Sequence, residues 1–167
     1  TLIVEGLRYH RCDQYARSYQ FRQQWWLNFL RRVGTSDKIN TEAMDSYIRQ
    51  VEFETRGKQR LLMGAAKQMV KLLRKSESAR KRLIQKQMRY IPGIYTDLFE
   101  KYNPSLLVSS TYGWRYDRYI MREAIQRGIK TGTVIVGWDN PSSYGIPCAP
   151  LDFVNCWSDI QKNELVD

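Results

Sequence analysis

Two stretches of the chain concentrate side chains that bind and orient polar ligands. The first is Thr111-Tyr112-Gly113-Trp114-Arg115-Tyr116-Asp117, and the second is Trp138-Asp139-Asn140-Pro141-Ser142-Ser143-Tyr144-Gly145. Each sets aromatic faces beside hydroxyls, amides and one or two charges. That is the inventory of a sugar or alcohol acceptor site, where rings stack on the ligand and a few polar groups fix its orientation. The candidate substrate-binding residues are therefore Tyr112, Trp114, Arg115, Trp138, Asp139, Asn140, Ser142 and Ser143. Asp139 could act as a general base only for a hydroxyl within hydrogen-bond reach. Asp139-Asn140-Pro141 is equally turn chemistry, in which Asx side chains bond their own backbone ahead of a proline. No catalytic residue is assigned.

Other chemistries find less support. Neither GxGxxG nor GxxxxGK[ST] occurs, so the chain has no phosphate-cradling glycine loop of those types. His10 is the one histidine, which removes paired-His metal sites and makes any Ser-His-Asp arrangement depend on a residue between Arg8 and Arg11. Cys12, Cys148 and Cys156 are odd in number and form no CxxC pair, so neither a disulfide framework nor a zinc site is indicated and a reducing compartment fits best. We expect no metal and no cofactor.

The elements that must position the two stretches can be read from periodicity. Leu106-Leu107-Val108-Ser109-Ser110 and Thr133-Val134-Ile135-Val136-Gly137 are short apolar runs with turn chemistry after them, and Tyr116 to Arg127 between them is amphipathic with Gly128 behind it. Strand, helix, strand makes a βαβ unit, whose parallel sheet needs cover on both faces. Ligands in such sheets bind beyond the carboxyl ends of the strands, where both polar stretches fall. Leu151 to Trp157 reads as a third strand, with Ser158 capping a closing helix.

Upstream the chain reads as helical. Leu2-Ile3-Val4 is an opening strand before Gly6, and Tyr9 to Val33 is a helix with a break near Ser18. Thr41 to Thr55 is a second helix, with Met44, Tyr47, Ile48 and Val51 on one face. Over residues 58–75 a rotation of roughly 100° per residue gathers Leu61, Leu62, Ala65, Ala66, Met69, Val70, Leu72 and Leu73 in one half-cylinder. Arg60, Lys67, Lys71, Arg74 and Lys75 occupy the other half. The same phase runs on through Ala79, Leu83, Ile84 and Met88, as one long helix or as two with a cap at Ser76. Ile94, Tyr95, Leu98, Phe99 and Tyr102 form a last apolar face before Asn103-Pro104. These helices are expected to cover the sheet.

Charge is unevenly spread. Residues 1–91 hold 20 Lys and Arg against 8 Asp and Glu, while residues 92–167 hold 7 against 9. Within 56–89 twelve cations face one acid, Glu77. The bland reading of this segment is a helix packed by its apolar half with a solvated cationic face. Two functional readings use Arg60, Lys67, Lys71, Arg74 and Lys75 as an anionic-surface site, against lipid headgroups or along a nucleic acid backbone. The apolar half has no Trp or Phe, which argues against deep insertion in a bilayer. Arg22, Trp25, Trp26, Arg31 and Arg32 interleave cations with rings, yet adjacent Trp residues on a helix point about 100° apart and serve a core more readily than a stacking platform.

From Asn103 onward the strings Pro104-Ser-Leu-Leu-Val-Ser-Ser, Arg127-Gly-Ile-Lys-Thr131, Gly137-Trp138-Asp139-Asn140-Pro-Ser-Ser-Tyr-Gly145 and Asp152-Phe-Val-Asn-Cys-Trp157-Ser-Asp-Ile-Gln-Lys162 resemble the end of the amino-terminal domain of two-domain Rossmann (GT-B) glycosyltransferases and related surface-carbohydrate or glycerophosphate transferases. The resemblance covers about 65 residues. Pro141 and Cys148-Ala149-Pro150 depart from its pattern. It implies an acceptor-side domain that works with a second, donor-binding domain: a nucleotide-sugar donor held elsewhere, and a carbohydrate or lipid-linked acceptor held here. Such enzymes often have a basic acceptor domain close to a membrane.

The expectation is thus an α/β chain, a Rossmann-like three-layer domain with a short parallel sheet and a helix-rich amino-terminal part. Residues 1–102 form the basic helical portion and 103–167 the βαβ-plus-strand portion. The start at Thr1 and the short sheet point to an incomplete piece of a longer protein, inactive without its second domain. No segment reads as a secretory leader or a spanning helix, so a cytoplasmic place, peripheral to the inner membrane face, is expected. The alternative is a non-catalytic basic module that binds nucleic acid or an anionic membrane.

Overall fold

A computed structural model describes residues 19–111, 113, 117–135, 137 and 145–166. The opening strand at Leu2–Val4, the first part of the helix expected from Tyr9, and His10 and Cys12 lie outside the described residues.

Four helices come first: α1 (Tyr19–Val33), α2 (Glu42–Glu54), α3 (Lys58–Lys75) and α4 (Glu77–Met88). Their shared core is Phe29 and Val33 of α1, Met44 and Val51 of α2, and Met63, Ala66 and Val70 of α3, with Trp26, Leu30, Tyr47 and Ile48 packed around it. Rings extend this core: Trp26 meets Phe29 edge-on at 5.9 Å, and the Arg32 guanidinium lies 3.8 Å from the Tyr47 ring centre. Leu27, Leu73 and Leu83 tie α1, α3 and α4 together, and Gln87 Nε2 donates to Asn28 Oδ1 at 2.8 Å.

The break at Ser76 decides between one helix and two. Ser76 is extended (φ −125°, ψ 107°), and its hydroxyl accepts from Ala79 N at 3.2 Å, so it stops α3 and caps α4. Arg80 Nη1 donates to the carbonyls of Leu73 and Arg74, both at 3.0 Å, and so occupies two acceptors left over at the end of α3.

A short helix, α5 (Thr96–Tyr102), ends at Asn103, whose left-handed backbone (φ 41°) lets its N–H reach Phe99 O. Then follow β1 (Leu106–Ser109), α6 (Asp117–Gln126), β2 (Lys130–Val134), β3 (Phe153–Asn155) and α7 (Asp159–Val166). The sheet is parallel throughout in the order β1-β2-β3, with Leu106 opposite Lys130 and Gly132 opposite Phe153. β2 begins three residues earlier than periodicity indicated. Gly128 (φ 72°) reverses the chain and Ile129 N closes on Ala124 O, so α6 runs straight into the strand, and Thr131 and Thr133 fill the inward positions expected of aliphatics. The third strand is shorter than Leu151–Trp157. Asp152 breaks from it to receive Thr131 N at 2.8 Å and Lys130 Nζ at 2.9 Å. Ser158 caps α7 as expected, its hydroxyl accepting from Gln161 N.

Among the described residues the expected cover of the sheet is present on one face. α6 lies across the side of Leu107, where Met121, Cys148 and Ala149 form a buried cluster with Ile120 and Ile125. On the opposite face Leu106, Val108, Val134 and Phe153 are exposed among the described residues, and Phe153 lays its ring over Gly132. The buried sides of α1 to α4 pack mainly on one another, and Met88 at the end of α4 reaches the α6 cluster. No described helix is long and apolar enough to cross a membrane.

Candidate functional site

The two polar stretches follow β1 and β2 in the chain. Beyond β1, Thr111 N donates to Ser109 Oγ at 3.2 Å and Thr111 Oγ1 donates to Asp117 Oδ2 at 2.7 Å, so the strand exit is tied to the first residue of α6. Gly113, with φ 123°, lies in the loop between them. A Cβ there would stand 2.3 Å from Cys148 Cβ, so glycine alone lets the first loop press against the stretch that follows the second. Tyr112, Trp114, Arg115, Trp138, Asp139, Asn140, Ser142 and Ser143 themselves lie outside the described residues. Their flanks are placed, and the flanks converge.

Arg31 joins them. From the last turn of α1 its buried guanidinium donates through Nη2 to Gly113 O at 3.1 Å and through Nη1 to Ile146 O, while Ile146 N returns a bond to Arg31 O at 3.2 Å. Gly145 (φ 68°) sits against the Arg31 and Arg32 carbonyls so closely that a Cβ would lie 2.0 Å from Arg32 O. A helix of the basic portion thus fixes the end of one polar loop to the end of the other. Sequence reasoning missed this role, because the contacts span 82 and 115 residues and nothing in local periodicity marks them.

Arg122 completes the cluster from α6. It is 0% exposed, its Nε donates to Cys148 O at 3.3 Å, its guanidinium carbon lies 5.8 Å from the centre of the Tyr119 ring, and its Nη1 and Nη2 have no hydrogen-bond acceptor among the described residues. Burial pulls its pKa down, and Arg118 beside it acts in the same direction. The Cys148 thiol is buried too. Burial pushes its pKa up, opposed by the positive charges of Arg31, Arg122 and Arg118, so the thiol stays protonated and inert at neutral pH. Cys148 and Cys156 are both free.

The second candidate surface is α3. Of its five singled-out cations, Lys67 is held by Glu52 at 2.6 Å, and Arg74 by Asp45 at 2.8 Å and Val33 O at 3.1 Å. Both pin α3 to its neighbours, leaving Arg60, Lys71 and Lys75 exposed. Beside these runs a strip of apolar side chains in solvent: Leu61 (81% exposed), Leu62 (53%), Met69 and Leu72. The buried arc is Met63, Ala66, Val70 and Leu73, rotated from the centre of the apolar half-cylinder toward Lys67 and Arg74, whose ion pairs set the helix's orientation.

Among the described residues no group of three His, Cys, Asp or Glu side chains is placed to hold a metal ion. No protein-family model, curated protein or solved structure matches this chain.

Proposed function

We propose that this chain is the acceptor-side portion of a nucleotide-sugar-dependent glycosyltransferase, built on a Rossmann-like plan and completed by a donor-binding domain. The observation that supports it best is the parallel β1-α6-β2 unit, whose two carboxyl-end loops meet at Arg31, Gly113 and Cys148. Loops so joined can hold one ligand between the ring and amide groups of both. On this reading Trp138 and Trp114 stack on the acceptor and Asp139 and Asn140 bond its hydroxyls. The chain supplies orientation, and the donor's leaving group is handled by the other domain.

The test is a titration of the protein with a panel of glycosides and polyols, followed by tryptophan fluorescence. At least one should bind, with Trp138→Ala and Asp139→Asn weakening it at least tenfold and leaving thermal stability unchanged. A panel in which nothing binds, or binding that both variants leave intact, refutes the reading.

A second reading, attachment to an anionic membrane surface, is favoured by the exposed Leu61, Leu62, Met69 and Leu72 beside Arg60, Lys71 and Lys75. Apolar side chains enter the headgroup boundary while cations meet lipid phosphates, each contributing about 1 kcal/mol. Co-sedimentation with vesicles of phosphatidylglycerol and phosphatidylcholine should exceed that with phosphatidylcholine alone and be lost on Leu61→Asp. Equal binding to both vesicles, or preferential capture by duplex DNA with a steep salt dependence, overturns it.

A further inference from the structure

Two apolar surfaces among the described residues have no cover, and they match. One is the strip on α3, where Leu62, Ala65, Met69 and Leu72 recur at intervals of three, four and three residues with Leu61 beside them, the spacing by which one helix seats against a neighbour. The other is the outer face of the sheet. Strand alternation and register put Leu106, Val108, Val134 and Phe153 on it together, around Gly132. Parallel sheets are covered on both faces, and right-handed crossovers commit both connections between these strands to the side of Leu107 and Leu151, where Met121 and Cys148 lie. Cover for the outer face therefore comes from outside residues 106–155.

We propose that the α3 strip of one copy of this chain packs on the outer sheet face of another copy. The dimensions agree. From Leu61 to Leu72 the helix axis advances about 16 Å, and the helix body is about 10 Å across. β1 and β2, four and five residues long, run about 13–17 Å, and three strands span about 10 Å. Charge selects this pairing over a symmetric one. Arg60, Lys71 and Lys75 lie exposed along one flank of the strip, so strip against strip would set like charges together. Sheet against sheet would leave both strips bare. The charged strand residue on the sheet face, Lys130, is held by Asp152 at 2.9 Å, and residues 92–167, which carry the sheet, hold 7 Lys and Arg against 9 Asp and Glu. Because two different surfaces meet, copies join into a ring or an open chain. The contact is smaller than a standard interface, so it is weak and reversible. The inference does not rest on the transferase reading. It claims the strip that the membrane reading also uses, so its test is run without lipid.

The experiment is sedimentation velocity of the whole chain from about 5 to about 500 µM, the range in which an interface of this size fills. The weight-average mass should rise with concentration. Leu72→Glu on the strip and Val134→Lys on the sheet face should each weaken association at least tenfold, because each buries a charge in the contact. A one-to-one mixture of the two variants should restore association and stop at a pair, in which the intact strip of one sits on the intact sheet of the other. Phe53→Gln, at an exposed residue of α2 outside both surfaces, should behave as the parent does.

A parent that stays monomeric at the highest concentration overturns the proposal, whatever the protein does with anionic vesicles. So does association that survives in either variant, or a mixture that stays monomeric while both variants melt as the parent does. A measurement on the unaltered protein covers a variant that fails to fold: amide NMR shifts followed on dilution. Shifts should move both in residues 61–72 and in the strands around Gly132, and movement confined to one of these surfaces, or absent from both, refutes the contact.

Discussion

Replacing Met63 and Leu61 by Ala, one at a time, probes how α3 is rotated against its neighbours. Both are large apolar residues in the first turns of one helix, two positions apart and so about 160° apart around its axis. Met63 is 1% exposed within the cluster of Phe29, Val33, Met44 and Val70, whereas Leu61 is 81% exposed. Truncating a fully buried Met costs about 2–5 kcal/mol, from lost transfer energy and from the cavity left behind. For a chain of this size that lowers the melting midpoint by roughly 4–20 °C. Truncating Leu61 removes area that is already in water, and Ala is the better helix former, so the change should stay within about 0.5 kcal/mol. Urea unfolding followed by circular dichroism reads both. Equal costs, or a larger cost at Leu61, would show that the core side of α3 is the opposite one, and would remove the exposed strip on which the membrane reading depends.

Gly132→Ala should destabilise only modestly, by about 1 kcal/mol, because its new methyl meets the end of the half-exposed Phe153 ring, which can swing into solvent. Combined with Phe153→Ala the cost should vanish, a coupling that a double-mutant cycle in urea detects. Gly145→Ala meets backbone atoms, Arg32 O at 2.0 Å and Arg31 O at 2.7 Å, from a left-handed conformation, so a loss of about 2–4 kcal/mol is expected in the same assay. The Thr131 N–H and Lys130 hold the Asp152 carboxyl below the usual carboxylate range. Its contribution is therefore present above the unfolded value of about 3.9 and lost as pH falls through the lower folded value. Asp152→Asn should lower stability at neutral pH, converge with the parent in acid, and so flatten the limb of a stability-against-pH curve below about pH 4.

Local signals in the sequence translated well where the physics was local. Ser76 divides the basic segment because a serine oxygen can accept an N–H three residues on, and Asn103 stops α5 because asparagine tolerates a left-handed backbone. The same held for β1, whose apolar run and turn residues lie side by side in the chain. Periodicity gave α3 an apolar half without saying which part of it meets a neighbour. That is set by Glu52 and Asp45 reaching across from α2, an interaction between helices that no single-helix projection contains. β2 starts three residues before its apolar run because Thr131 and Thr133 bury hydroxyl-bearing side chains at inward positions, Thr133 donating to Ser109 O at 2.9 Å. Arg31 and Arg122 look like ordinary helix cations in the sequence, and only packing of distant segments reveals them at the convergence of the loops.

The clasp of Arg31 on Gly113 and Ile146 also has a dynamic consequence. α1 belongs to the bundle whose core is Phe29, Val33, Met44 and Met63, yet its last turn supplies the hydrogen bonds that close the end of the loop region. Opening of the bundle therefore releases the loop ends, whereas fluctuations of the loops need not disturb the bundle. The amide of Ile146, donating to Arg31 O, should exchange with solvent no more slowly than the helical core opens. Order at the carboxyl end of the sheet is in this sense borrowed from the helices, and a mutation deep between α1 and α3 loosens a loop that it never touches.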